Sequence, residues 1–209
     1  MKPILFNTEM VQAILQGRKT VTRRVIKGLP QGNVFISWDI ENGISTFDAT
    51  GHIKDLKMRY MIGDILYVRE KWQKSPAGTY LYKTDNNGNL SNGHVYKWKP
   101  SIHMPKETAR LFLRITNIHV ERLQSIRYYE VYQEGINSVN ICNECMHTHP
   151  CATEQSLGCC CLIQLFKDLW ISTIKKSDKY GWNANPWVCV YGFEVISKDE
   201  AMKESEEEL

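Results

Sequence analysis

What this chain lacks narrows it before any motif is read. It has no run of about 18 apolar residues, so no spanning helix is expected. Its N terminus passes from one lysine straight into Pro3-Ile4-Leu5-Phe6, without an apolar stretch long enough for a secretory leader. These absences read as a soluble, cytoplasmic protein with no membrane partner. Charge of one sign is also missing in bulk: Lys+Arg 26 against Asp+Glu 23 leaves a formal +3 over 209 residues. A polyanionic partner would therefore have to be met by a local patch. Cysteine is nearly absent outside one segment, since six of the seven lie between 142 and 161. An odd, clustered count suits a metal site in a reducing compartment better than a disulfide framework. There is no internal repeat, and the only biased stretch is the acidic run Glu204, Glu206, Glu207 and Glu208. That run reads residues 199–209 as a frayed or disordered tail.

The local patch is present. Residues 17–24, Gly-Arg-Lys-Thr-Val-Thr-Arg-Arg, hold four cations and two hydroxyls. Gly17 reads as the left-handed residue closing a helix, and Thr20-Val21-Thr22 has strand composition. On a strand, Arg18, Thr20, Thr22 and Arg24 share one face and Lys19, Val21 and Arg23 the other, unless the turn after Gly17 re-aims Lys19. Two readings stay open, a basic strand edge guarded against pairing and an anion or nucleic-acid site.

Around the patch, Pro3 to Phe6 predicts a short apolar strand. Asn7 or Thr8 caps a short helix with Met10, Val11, Ile14 and Leu15 on its apolar face. Asn33 to Asp39 and the segments between Gly43 and Gly51 predict hairpin strands. Ile65 to Val68 predicts a buried strand that emerges into Arg69, Glu70 and Trp72. Residues 84–94 read as a loop, and Trp98 to Pro105, with two prolines and His103, as a rigid extended path. Ala109 to Val120 predicts a long strand with Leu111, Leu113, Ile115 and Asn117 on one side and Phe112, Arg114, Thr116 and Ile118 on the other. A helix capped by Ser125 runs through Glu134 to Gly135. Leu162, Leu165, Phe166, Leu169, Trp170 and Ile174 repeat at helical spacing, and Trp187 to Val195 predicts a final strand.

Between the helix that stops at Gly135 and the helical repeat that starts at Leu162 lies the cysteine-rich insert, residues 136–161, within a single domain spanning 1–198. Cys142-x-x-Cys145, then His147, His149 and Cys151, then Cys159-Cys160-Cys161, has the spacing of a tetrahedral zinc site. The preferred ligands are Cys142, Cys145, Cys151 and Cys159, with Cys160, His147 or His149 as substitutes. The insert has too few apolar residues for its own core, so zinc would be structural and supply folding energy.

Taken together, Lys2-Pro3-Ile4-Leu5-Phe6, residues 17–24, Gly63-Asp64, Val68 to Trp72, Trp98 to Pro105, Glu134-Gly135-Ile136 and Asn183 to Val188 resemble the ASCH family. The longer phage and prophage members are the nearer likeness. The resemblance implies an α+β fold with a PUA-like mixed β-barrel and flanking helices. It also implies a role with RNA, single-stranded nucleic acid or a modified nucleoside. Some small ASCH proteins are amidohydrolases that remove acetyl from N4-acetylcytidine with a lysine, a threonine and a glutamate, which fall here on Lys19, Thr22 and Glu134. Nucleic-acid contacts would come from Arg18, Arg23, Arg24, Arg69, Glu70 and His103, with Trp72 and Trp98 exposed to stack on bases. The expected function is an RNA- or nucleotide-binding protein with a basic cleft around residues 17–24; the alternatives are a hydrolase of an N4-acylated cytidine and a phage accessory protein-binding module.

Overall fold

The two longest strands, Phe112–Arg122 and Trp187–Ile196, pair with each other and form the centre of the molecule. The computed structural model describes residues 1–28, 35–39, 43–48, 51–56, 58–85, 97–136, 160–174 and 178–207. Its first elements are β1 (Lys2–Leu5), α1 (Thr8–Leu15) and β2 (Val21–Val25). A hairpin sheet follows, β3 (Phe35–Asp39), β4 (Gly43–Asp48) and β5 (Gly51–Leu56). Next come β6 (Ile65–Arg69), β7 (Trp72–Lys74), β8 (Tyr80–Tyr82) and β9 (Phe112–Arg122). The chain continues with α2 (Tyr128–Gln133), α3 (Cys160–Thr173), β10 (Trp187–Ile196) and α4 (Lys198–Glu207).

The main sheet has the order β1-β6-β9-β10-β2, with β1 parallel to β6 and the other pairs antiparallel. The class is therefore mixed α+β, as expected. Among the described residues the sheet ends on β1 and β2 and is not closed into a barrel.

Both faces of this sheet are covered, which is why β6 and β10 read as nearly continuous apolar runs. On one face Ile4, Leu66, Val68, Leu113, Ile115, Cys189, Tyr191 and Phe193 pack with Val11 and Ile14 of α1. On the other, Val188 and Val190 meet Val131 of α2 and Leu162, Phe166 and Trp170 of α3. A third cluster joins Ile65, Phe112 and Ile196 to Trp72, Met104 and Ala201 of α4. No helix among the described residues is long and apolar enough to cross a membrane.

Three expectations change here. A register shift places Gly192 opposite Asn117 and Phe193 opposite Ile115, so Thr116 is the extra residue of a bulge. The alternation of β9 flips there, which exposes Asn117 and brings Ile118 into the same cluster as Ile115. In α1 the buried face is Val11, Ala13 and Ile14, while Leu15 is 50% exposed. Ala13 is buried because Gly135 passes so close that a Cβ there would lie 2.7 Å from the Ala13 Cβ. The tail expected to be disordered is helical over Lys198–Glu207, because Arg114 binds Glu194, Glu200 and Glu204 together.

Candidate functional site

Asn7 caps α1 by accepting the Met10 N–H at 2.8 Å, and the helix ends at Gly17, whose φ is +71°. The Arg18 and Lys19 amides both donate to the Ala13 carbonyl, at 2.9 and 3.0 Å, so the chain turns before it enters β2. This turn takes Lys19 out of the simple two-face pattern. Lys19 instead forms a bridge with Glu134 at the end of α2.

Glu134 is held from the far side of the sequence. Arg127 starts α2 by donating its amide to Glu130 Oε2 at 2.7 Å, two residues later than a Ser125 cap would place it. Gly135 ends it with φ +91° against Ala13 and Lys19, where a side chain would not fit. A carboxylate thus arrives beside the basic string from 111 residues away.

The geometry is a buried charge network. Lys19 Nζ donates to Glu134 Oε2 at 2.6 Å and to the Glu134 carbonyl at 2.9 Å, with its side chain fully covered. Glu134 Oε1 accepts from the Arg23 amide at 3.0 Å and from Arg23 Nη1 at 3.1 Å. Arg23 Nε donates to Glu121 Oε1 at 2.8 Å. Its Nη2 lies 3.2 Å from Glu130 Oε2 but is not aligned for a hydrogen bond. Burial pulls the Lys19 ammonium below its ordinary pKa, and the Glu134 carboxylate opposes this without cancelling it. Burial alone would raise Glu121, but His119 and Arg23 outweigh it and hold the carboxyl low.

Beside this network lies a cavity of about 330 Å3. Thr22, Arg23, Arg24 and Glu134 line it, with Leu5, Phe6, Asn7 and Met10 from the β1–α1 turn. Lys71 and Ser101 also reach it, and α3 supplies Phe166, Leu169, Trp170, Ser172 and Thr173. Lys19 sits beneath that lining, 5.7 Å from the Phe6 ring centroid. Arg24 lies over the same ring at 5.2 Å and donates Nη2 to the Leu5 carbonyl at 3.0 Å.

Lys19, Thr22 and Glu134 are thus gathered in one place. The expected nucleic-acid contacts are scattered. Arg18 is partly buried, bound to Gln16 and to the Gly135 carbonyl. Arg69 donates to the Met104 carbonyl at 2.9 Å. His103 is exposed on a short turn, and Trp98 is half-buried.

Three residues are not surface groups as expected. Arg23 is only 4% exposed because three carboxylates enclose it, so it cannot meet a phosphate as an open cation. Glu70 is covered by Arg110 and Thr84, at 2.9 and 2.7 Å. Trp72 is 6% exposed, packed in the third core cluster with Lys99 4.9 Å from its ring. Cys142, Cys145, Cys151 and Cys159, like His147 and His149, lie outside the described residues.

The sequence reading missed Glu121 and Glu130 as partners of Arg23, and Lys71, Ser101 and Phe166 as cavity walls. Glu130 and Glu134 share a helix face at i, i+4, a signal that both acids meet one cation. His119, Glu121 and Glu130 bring three ligand-type atoms within 4.8 Å. Arg23 already supplies the positive charge to both carboxylates there. No family model, no curated protein and no solved structure matches this chain.

Proposed function

We propose that the cavity at Thr22 and Glu134 takes a nucleoside-sized ligand and hydrolyses an amide on its base, on a PUA-like fold, as the resemblance to ASCH amidohydrolases implies. The observation that supports this over an extended RNA groove is convergence in a small space. Lys19 and Glu134 touch at 2.6 Å, and Thr22 shares with Glu134 the wall of a cavity of about 330 Å3. That size is at the low end for small-molecule sites.

In this reading the Thr22 hydroxyl adds to the acyl carbonyl carbon, and its proton passes to the buried Lys19–Glu134 couple. Glu134 is the member of the couple that lines the cavity, and Lys19, fully covered, acts through it. Collapse of the adduct breaks the carbon–nitrogen bond, and the same couple returns the proton to the departing amine. Water then cleaves the threonyl ester and releases a carboxylate. Lowering the Lys19 pKa by burial favours this exchange, because an ordinary lysine holds its proton too firmly near neutral pH.

The test is incubation with N4-acetylcytidine and a small panel of other acylated nucleosides, followed by chromatography for cytidine and the free acid. Stoichiometric release of both supports the reading. Absence of turnover across the panel overturns it and favours nucleic-acid binding by the more open cations Arg18, Arg24 and Arg69.

A further inference from the structure

We infer, building on the hydrolase reading above, that the preferred ligand carries an anionic group, so that a base-acylated nucleoside monophosphate is a better substrate than the neutral nucleoside. The inference comes from counting which charges on the cavity wall are already neutralised. Glu134 is bound by both Lys19 and Arg23. Arg23 is bound in turn by Glu121, Glu130 and Glu134. Arg24 and Lys71 also face the cavity, and neither has a carboxylate within ion-pair distance among the described residues. Two cations without an ion-pair partner on a concave wall raise the local concentration of anions.

Their chemistry suits a phosphomonoester. Arg24 is braced, with its guanidinium over the Phe6 ring at 5.2 Å and one N–H given to the Leu5 carbonyl at 3.0 Å. A guanidinium has five N–H donors in a fixed fork, so most remain for two oxygens of a phosphate. Lys71 is exposed and adds a mobile point charge. Elsewhere in the lining, the half-buried Leu169 and the edges of the buried Phe166 and Trp170 of α3 give an apolar side against which a base can rest. One cavity therefore combines an apolar side with a cationic one. Its volume suits one mononucleotide more than a strand, whose flanking residues would need further groove.

The experiment compares kcat/KM for three substrates bearing the same N4-acetylcytosine: the nucleoside, its 5′-monophosphate, and a dinucleotide in which that phosphate is a diester. The monophosphate should lead the nucleoside by about tenfold, the scale of one charge-assisted contact, with most of the difference in KM. Lys71→Ala and Arg24→Gln should each bring the ratio towards one. Equal kcat/KM for nucleoside and monophosphate overturns the inference and leaves the hydrolase reading standing. Equal handling of dinucleotide and monophosphate overturns the assignment to free mononucleotides. If no substrate turns over, the hydrolase reading fails alone, and calorimetry with CMP and cytidine decides the anion: CMP about tenfold tighter, lost in Lys71→Ala, supports it, and equal affinity overturns it.

Discussion

Glu134 is the residue on which two buried cations depend, since it holds Lys19 with one carboxylate oxygen and Arg23 with the other. Removing one partner of a buried pair leaves the other charge uncompensated, at a cost of about 3–5 kcal/mol. Glu134→Gln keeps the shape and should therefore shift the urea midpoint of unfolding well below the wild type, while a surface control such as Glu107→Gln leaves it in place. Lys19 makes a pH prediction. Its folded pKa lies below the ordinary 10.5 because of burial. Between the folded value and 10.5 the unfolded chain binds more protons, so this residue makes stability rise with pH across that window. Tyr60 and Tyr191 are raised by burial and act in the opposite sense. They are common to wild type and Lys19→Met, so the difference in unfolding free energy between the two isolates the lysine. That difference should grow in favour of the wild type as pH approaches 10.5; a flat difference would contradict it. The catalytic roles proposed for Lys19 and Glu134 rest on the family likeness, while their contact was hidden by a separation of 115 residues. Burial of Arg23 was not legible, because the sequence shows its charge and not the three acids that enclose it.

At the level of elements, most strands and helices were legible because their apolar periodicity and their stops agree: Asn7 caps α1, Gly17 ends it, and Leu162, Phe166 and Trp170 repeat at one helical face. The errors arose where a tertiary partner overrode a local signal. The acidic stretch after Lys198 has too few apolar residues to suggest packing, yet it forms α4. Ala201 there is buried, and Arg114, far back in β9, gathers Glu194, Glu200 and Glu204. Arg114→Ala should speed amide hydrogen exchange over Lys198–Glu207 while protection in β9 and β10 stays high, and added salt should mimic part of the effect in the wild type. Unchanged exchange in α4 would show that Ala201 alone holds the helix. The β9 bulge at Thr116 was invisible for a similar reason, since it is defined by pairing with Gly192 and Phe193 and not by β9 itself. The cysteine spacing in the insert leads to its own expectation, one zinc ion per chain on elemental analysis of protein purified without chelator. Absence of zinc in an insert that still resists protease would count against the site.

For the whole molecule, the mixed α+β class was an implication of the family likeness, which rests on the order of the motifs along the chain. The location of the cavity was not, because its walls come from β1, β2, α2, α3 and the short turns near Lys71 and Ser101, which meet only in the folded chain. Phe166 and Trp170 illustrate the difficulty: helical spacing marks them as buried, but their packing and their place on a cavity wall use the same apolar face. The basic string is likewise divided by folding, with Lys19 and Arg23 consumed in the buried network and Arg24 left facing the cavity. The proposed catalytic unit is a single one, with Thr22 attacking and Lys19 working through Glu134. The most direct measurement is kcat on N4-acetylcytidine for wild type, Thr22→Ala, Lys19→Ala and the double variant, each checked for native circular dichroism. Each single substitution should lower kcat on the order of 100-fold to 10,000-fold, and the double should be little worse than either because the residues act together. Wild-type kcat in a folded Thr22→Ala protein, or losses that simply multiply in the double variant, would contradict it.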